Sequence, residues 1–301
     1  MIIVKFQGGL GNQISQYAFC RRLQHYYPEA VIKADLDFYI YNHDHQGFEL
    51  DKVFAGILLE RASVKDILKV TGKISASVYS TKRCCRRAIR GINRFLPTKD
   101  ENRLRQNTIT KYPEENIYWN LDLKQDWYLD GYWHSYNYNE IMDELREELN
   151  FVRLIDEKNK SCERRILEDE NSVSIHIRRG DYVDSIYDIV DVDYYSRAVQ
   201  IINSQISDPK FYLFSDEIGD AEKLLNEIGG LRKVECVSWN SAKNSYYDMY
   251  LMSLCKHNII ANSTFSYWAA QLNKNKNKIV IWPKLQTTER ESWDVEGWVK
   301  I

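Results

Sequence analysis

The chain has almost no net charge. Its 41 Lys and Arg against 43 Asp and Glu leave −2 at neutral pH, so whole-chain electrostatics give no reason to expect a nucleic-acid partner. It also lacks a long apolar run. No stretch approaches the ~18 apolar residues of a membrane-spanning helix. The opening MIIVKFQGGL has no charged segment followed by an apolar one, so no secretory leader is expected. None of the six cysteines (Cys20, Cys84, Cys85, Cys162, Cys236, Cys255) stands in a CxxC pair, and they build no dense framework. They are expected to be reduced cytoplasmic thiols in core positions, and zinc is not expected. Internal repeats and low-complexity tracts are absent as well.

What remains is the composition of a soluble globular protein, 44% hydrophobic and 28% charged. At 301 residues the chain is at the upper limit for one core, so two α/β domains sharing a cleft are expected. The 21 Tyr and 8 Trp suffice to line a carbohydrate groove, though they also suit an ordinary core.

Ile2–Phe6 reads as a short apolar strand, followed by Gly8-Gly9-Leu10-Gly11-Asn12-Gln13 and a helix to about Tyr26, the opening of a βα unit. Another strand is expected at Ala30–Ala34, one at Trp127–Trp133 and a helix at Glu140–Leu149; residues 42–130 give little periodicity. From about 170, strands of four or five residues (173–177, 211–214, 234–237, 257–261, 278–282) alternate with helices (194–206, 220–228, 247–255, 265–272). That pattern predicts a parallel sheet covered on both faces. The charged stretch Asp156 to Arg165 marks a domain boundary, giving an N-terminal domain 1–155 and a C-terminal domain 156–301.

In doubly wound sheets, ligands bind beyond the carboxyl ends of the strands. Three clusters fall there: His176 inside a strand with Arg178, Arg179, Gly180 and Asp181 after it; Ser215, Asp216 and Glu217; and Asn262, Ser263 and Thr264 at a helix start. Arginine forks suit phosphate oxygens. A helix N-terminus presents N–H donors and a positive dipole end to an anion. A carboxylate at Asp216 suits the N1–H and amino group of guanine. Together they describe a nucleoside diphosphate site that requires no metal. Each piece also has an ordinary reading, as a surface ion pair, a helix cap or a turn.

The stretch from Ser174 to Asp181, SIHIRRGD, resembles the HxRRxD signature of α-1,2- and α-1,6-fucosyltransferases. Phe214-Ser215-Asp216, the run Asn262-Ser263-Thr264-Phe265-Ser266-Tyr267-Trp268-Ala269-Ala270 and the Gly8–Gln13 loop resemble the remaining motifs of the α-1,2 family, in the expected order. The resemblance implies a GT-B architecture of two Rossmann-like domains facing a central cleft, with donor in the C-terminal and acceptor in the N-terminal domain. It implies an inverting, metal-independent transfer of L-fucose from GDP-β-L-fucose to the 2-hydroxyl of a terminal galactose in a surface glycan or lipid-linked precursor. It makes Arg178 the residue that stabilises the departing GDP, assisted by Asn12 and by His176, whose other reading is a core histidine. Arg179 and Asp181 hold the loop, Ser215 and Asp216 the guanine side, Asn262, Ser263 and Thr264 the diphosphate, and Gly9 and Gly11 the opposing loop. A general base is open among Asp184, Asp188, Asp191 and Asp193. The alternatives are another regiochemistry or a protein acceptor, and, from a different class, a noncatalytic nucleotide- or glycan-binding protein.

Asp191-Val192-Asp193 and Asp35-Leu36-Asp37 match the DxD pattern of metal-dependent glycosyltransferases, a pattern expected by chance in a chain this rich in Asp. Arg179-Gly180-Asp181 spells an adhesion tripeptide but directly follows a buried strand. His43-Asp44-His45 lacks a third metal ligand nearby. Residues 82–96 form a basic amphipathic helix, with Arg83, Arg87, Arg90 and Arg94 on one face and Cys85, Ile89, Ile92 and Leu96 on the other. One reading packs it on its own domain with a solvated basic side. The other rests it on an anionic membrane, placing a cytoplasmic enzyme peripherally at the inner face.

Overall fold

The computed structural model describes residues 1–42, 46–75, 83–99, 101–105, 118–134, 138–152, 156–180, 190–284 and 295–301, with backbone alone for 83–86. The chain divides into two compact units, the first formed by Met1–Asn150 and the second beginning at Phe151.

The first unit is built on a five-stranded sheet. Its centre is β1 (Ile2–Lys5), flanked in parallel by β2 (Ile32–Asp35) and β5 (Trp127–Asp130). The apolar Ile2, Ile3 and Val4 suit a strand buried on both faces. The edges are short and charged, β3 (Glu60–Arg61) and β4 (Arg103–Arg105), which discourages further strand pairing. Helix α1 (Leu10–Tyr26) buries Ile14, Tyr17, Ala18, Phe19 and Leu23. Beneath it the Phe19 ring lies on Trp133, centroids 4.0 Å apart and 3° from parallel. Short helices α2 (Phe38–Tyr41) and α3 (Leu50–Val53) follow. Helix α4 (Val64–Thr71) starts with a Ser63–Asp66 capping box and ends at Gly72 in the left-handed region, φ 72°. It packs Ile67 and Val70 on Ile3 and Tyr128.

Helix α5 (Arg83–Phe95) is the basic helix of the sequence. It is tied to its own unit: the Asn93 side chain accepts from Ile74 N (2.8 Å) and donates to Ile74 O (2.9 Å), and Lys73 Nζ donates to the last-turn carbonyl of Asn93. The expected division of faces is only partly kept. Ile89 is buried, but Ile92 and Phe95 are 49% and 89% exposed, and the Arg90 guanidinium sits 4.7 Å over the Tyr41 ring. Helix α6 (Met142–Glu148) closes the unit.

The second unit opens with α7 (Glu157–Glu168), capped by Asp156. The charged stretch expected as a boundary is therefore a helix, its charges outward and Asn159, Cys162 and Ile166 inward. The sheet comprises β6 (Ser172–Ile177), β7 (Lys210–Ser215), β8 (Val234–Val237), β9 (His257–Ile259), β10 (Val280–Trp282) and β11 (Val299–Lys300). Its order is β11-β10-β9-β6-β7-β8, all parallel. Counted along the chain from β6, that is the 3-2-1-4-5-6 order of dinucleotide-binding sheets, with the switch point between β6 and β9. Helices α8 (Val192–Gln205), α9 (Ile218–Glu227), α10 (Tyr246–Leu254) and α11 (Thr264–Leu272) supply the crossovers. The cap of α8 is Asp191, which accepts from Tyr194 N. Asp193, in the first turn, pairs with Arg197 at 3.0 Å.

Candidate functional site

Three of the expected clusters lie at the carboxyl ends of adjacent strands in the second unit. Strand β6 is buried along its whole length and delivers Arg178 and Arg179 beyond its end. Neighbouring β7 ends at Ser215, in register with Ile177, and delivers Asp216. Arg178 Nη1 stands 3.1 Å from Asp216 Oδ2, and Arg179 N donates to Asp216 Oδ1 at 3.0 Å. A β-carbon on the next residue, Gly180, would lie 2.4 Å from Asp216 Oδ2 and displace the carboxylate that holds the loop. Ser215 Oγ accepts from Glu217 N at 3.1 Å and shapes the turn. The Asp216 carboxylate is thus engaged by the arginine loop, a structural partnership that the expected guanine contact did not include. Asp181, Asp184 and Asp188 lie outside the described residues.

On the other side of β6, beyond β9, the chain passes through buried Asn262 and Ser263 into α11. Ser263 Oγ caps this helix by accepting from Phe265 N, and Ser263 O accepts from Tyr267 N at 3.0 Å. Thr264 is the first helical residue and half-buried, at the positive dipole end of α11, which favours an anion. His176 lies within β6, 3% exposed, its ring centroid 5.8 Å from that of Phe265. Its O accepts from Tyr195 OH at 2.9 Å. Burial, partly offset by the Asp216 charge, lowers its pKa to about 4, so the ring is neutral at pH 7. Nδ1 has no hydrogen-bond partner among the described residues. A buried ring nitrogen left unpaired is costly and marks the switch point as a place for a polar ligand group.

Gly9, Gly11 and Asn12 belong to the first unit, where the loop after β1 enters α1. Gly8 adopts φ 79°, and a β-carbon there would meet Asn12 Nδ2 at 2.3 Å. Gly9 precedes the helix with no side-chain cap, which leaves its opening N–H groups to other partners. Asn12 Oδ1 lies 3.0 Å from His134 Nε2. His134 is held there by Trp133, fully buried with φ 59°, an uncommon conformation for a bulky residue.

Two buried amides of α1, Gln13 and Gln16, fix this loop. Gln16, fully buried, accepts from Gln7 N (3.0 Å) and donates to Gln7 O (3.1 Å) and Gly131 O (3.4 Å). Gln13 donates to Gly8 O and Gly47 O and accepts from Glu49 N at 2.8 Å. The available signal was two amides among Ile14, Tyr17, Ala18 and Phe19, polar groups that burial obliges to find partners. Glu49 itself is buried, which pushes its carboxyl up to about 7, Lys52 opposing. Of the two DxD matches, Asp35 accepts from Tyr128 OH (2.7 Å) and Asp37 N (2.9 Å), and Asp191 and Asp193 serve α8. No group of three or more potential metal-ligating side chains occurs among the described residues; His43-Asp44-His45 lies outside them.

Residues 1–301 match Glycosyl transferase family 11. An α-1,2-colitosyltransferase from Escherichia coli is 30% identical, over 100% of this chain and 99% of that protein. The O-antigen biosynthesis glycosyltransferase WbnK, also from Escherichia coli, is 28% identical over 98% of each. A solved structure of an Arabidopsis thaliana FUT1 point mutant with GDP has the same fold at a TM-score of 0.50 and 14% identity, covering 95% of this chain and 71% of that one. The two parallel sheets and this likeness identify the GT-B-like, Rossmann-type architecture that the motifs imply. The order of those motifs and the match over the full length have one meaning: the chain is a member of glycosyl transferase family 11, the α-1,2-fucosyltransferase family.

Proposed function

We propose that this glycosyltransferase moves L-fucose from GDP-β-L-fucose to the 2-hydroxyl of a terminal galactose, with inversion and without a metal. The second unit binds the donor and the first the acceptor. The observation that carries the reading is the Arg178–Asp216 pair beside the capped start of α11. As the bond from fucose to phosphate breaks, negative charge grows on the diphosphate. Arg178 and the positive dipole end of α11 at Ser263–Thr264 are fixed in advance to meet that charge, and such preorganised electrostatics is commonly the largest catalytic term. Positive charge from these groups does the work that a cation does in metal-dependent transferases. Arg179 keeps the loop in place, and neutral His176 offers its ring to the nucleotide. The role assigned to Asn12, with Gly9 and Gly11, in the loop after β1 of the first unit is contact with phosphate or fucose.

The acceptor is a β-galactoside in a surface glycan or a lipid-linked precursor. A lipid-linked acceptor gives α5 a purpose, since Phe95 and Ile92 are exposed beside Arg87 and Arg94, and apolar anchors among cations suit an anionic membrane surface. Co-sedimentation with anionic vesicles at low salt tests that contact; equal recovery with neutral vesicles counts against it.

One second reading has a specific basis, the colitosyltransferase relative. Colitosyl lacks one hydroxyl of fucosyl, and a site built to bond a hydroxyl rejects the analogue without it by about 10⁴ or more. The deciding experiment follows GDP release and product mass in EDTA with GDP-fucose or GDP-colitose and a β-galactoside. Faster turnover of GDP-fucose supports the proposal. Preference for GDP-colitose supports the second reading, and turnover only after adding Mn²⁺ contradicts metal independence.

A further inference from the structure

The first unit contains a cavity of about 530 Å³ that none of the donor-site residues lines. This is within the ~300–1,000 Å³ range of small-molecule sites. Among its walls are Asp35, Asp37, Phe38, Tyr41, Arg90 and Tyr128. It opens at the carboxyl ends of β1 and β2, where Lys5 and Asp35 are register partners, the end of an open parallel sheet at which ligands bind.

The walls are set in advance. Asp35 is 5% exposed and fixed by Tyr128 OH and by Asp37 N. Asp37 Oδ1 accepts from Ser75 Oγ at 2.7 Å. Tyr41 is backed by the Arg90 guanidinium, and α5, which carries Arg90, is clamped through Asn93. The formal charges cancel. Lys5 and Arg90 balance Asp35 and Asp37, and Lys5 also pairs with Asp130 at 3.1 Å. A phosphate would meet two carboxylates and a metal ion two cations. An uncharged ligand with many hydroxyls meets neither penalty. Its hydroxyls donate to the carboxylates and accept from the cations, and its C–H faces pack on the rings of Phe38, Tyr41 and Tyr128.

We propose that this cavity in the first unit holds an uncharged pyranose of the acceptor glycan, gripped by Asp35, Asp37 and Arg90 against Tyr41. The assignment deepens the proposed function and rests on its placing of the acceptor in the first unit. It gives the poorly periodic region after residue 40 a task, the selection of glycan.

The test is saturation-transfer NMR on the full chain with N-acetyllactosamine, glucuronate and glucose 6-phosphate as probes, repeated on Asp37→Asn and Tyr41→Ala. The wild type is expected to bind N-acetyllactosamine in preference to either anion. Each variant is expected to weaken it by about tenfold, the scale of one lost well-placed contact, while keeping the wild-type thermal midpoint within a few degrees. Asp37→Asn, which keeps the shape, guards against misfolding of Tyr41→Ala. No N-acetyllactosamine signal in the wild type, an unchanged signal in both variants, or a preference for an anion would overturn the assignment. Calorimetry with GDP on the same samples separates the two ideas: a wild type that fails to bind GDP counts against the proposed function, and the glycan signal still decides this one.

Discussion

Arg178 and Asp216 meet 3.1 Å apart across the ends of two neighbouring parallel strands, and the same carboxylate also takes the backbone N–H of Arg179. One acidic residue therefore sets both the guanidinium and the path of the loop carrying it. Arg178→Ala is expected to lower kcat by about 10²–10³, as for other single electrostatic stabilisers. Asp216→Asn retains an acceptor for Arg179 N and should cost less than Arg178→Ala. Steady-state transfer rates with saturating donor compare the two.

Gly8→Ala forces a left-handed φ on a residue with a β-carbon and pushes that carbon into Asn12. The conformation alone costs roughly 1–2 kcal/mol. The loss should be smaller when Asn12 is already alanine, since the colliding amide is then gone. Urea midpoints of the two single variants and the double variant close this cycle.

Gln16→Ala leaves the N–H and C=O of Gln7 buried without their amide partner. Each unsatisfied group costs about 1–3 kcal/mol, so this substitution should rank among the most destabilising in the first unit. Equilibrium unfolding in urea measures it.

Asp248 is buried in α10 and accepts from Asn240 Nδ2 at 2.7 Å. Burial pushes its carboxyl up to about 8, Asn240 opposing. Since the folded value exceeds the unfolded one, the native state holds the proton more tightly. The stability this gives is full below about pH 4 and is lost as pH rises through about 8. Asp248→Asn keeps an acceptor for Asn240 and removes the titration. Its thermal midpoint should exceed that of the wild type by a margin that widens from pH 5 to pH 8.

The sequence showed the second unit most clearly. Short strands such as Phe211–Phe214 are apolar throughout and bounded by polar turns, so their type and order follow from local pattern. The first unit after residue 40 was opaque because its elements are small. Helices of four residues at Phe38–Tyr41 and Leu50–Val53, and a two-residue strand at Glu60–Arg61, span too little chain to show a period. Helix α7 was hidden by its charge, since only Asn159, Cys162 and Ile166 face inward. The arginine and serine clusters were legible because they follow strands directly. The Gln16 ties and the Asp35–Tyr128 bond link positions distant in sequence, and a single chain's pattern carries no trace of such pairs.

Strand β1 (Ile2–Lys5) is the middle of its sheet, yet one of its two neighbours, β5, begins only at Trp127. During synthesis β1 can pair with β2 early, but its other edge stays unpaired for roughly 6–25 s at ordinary translation rates of about 5–20 residues per second. The apolar segment IIV is exposed through that interval, with its hydrogen-bonding groups open to any passing strand. Completion of the first unit is therefore a late and nonlocal event.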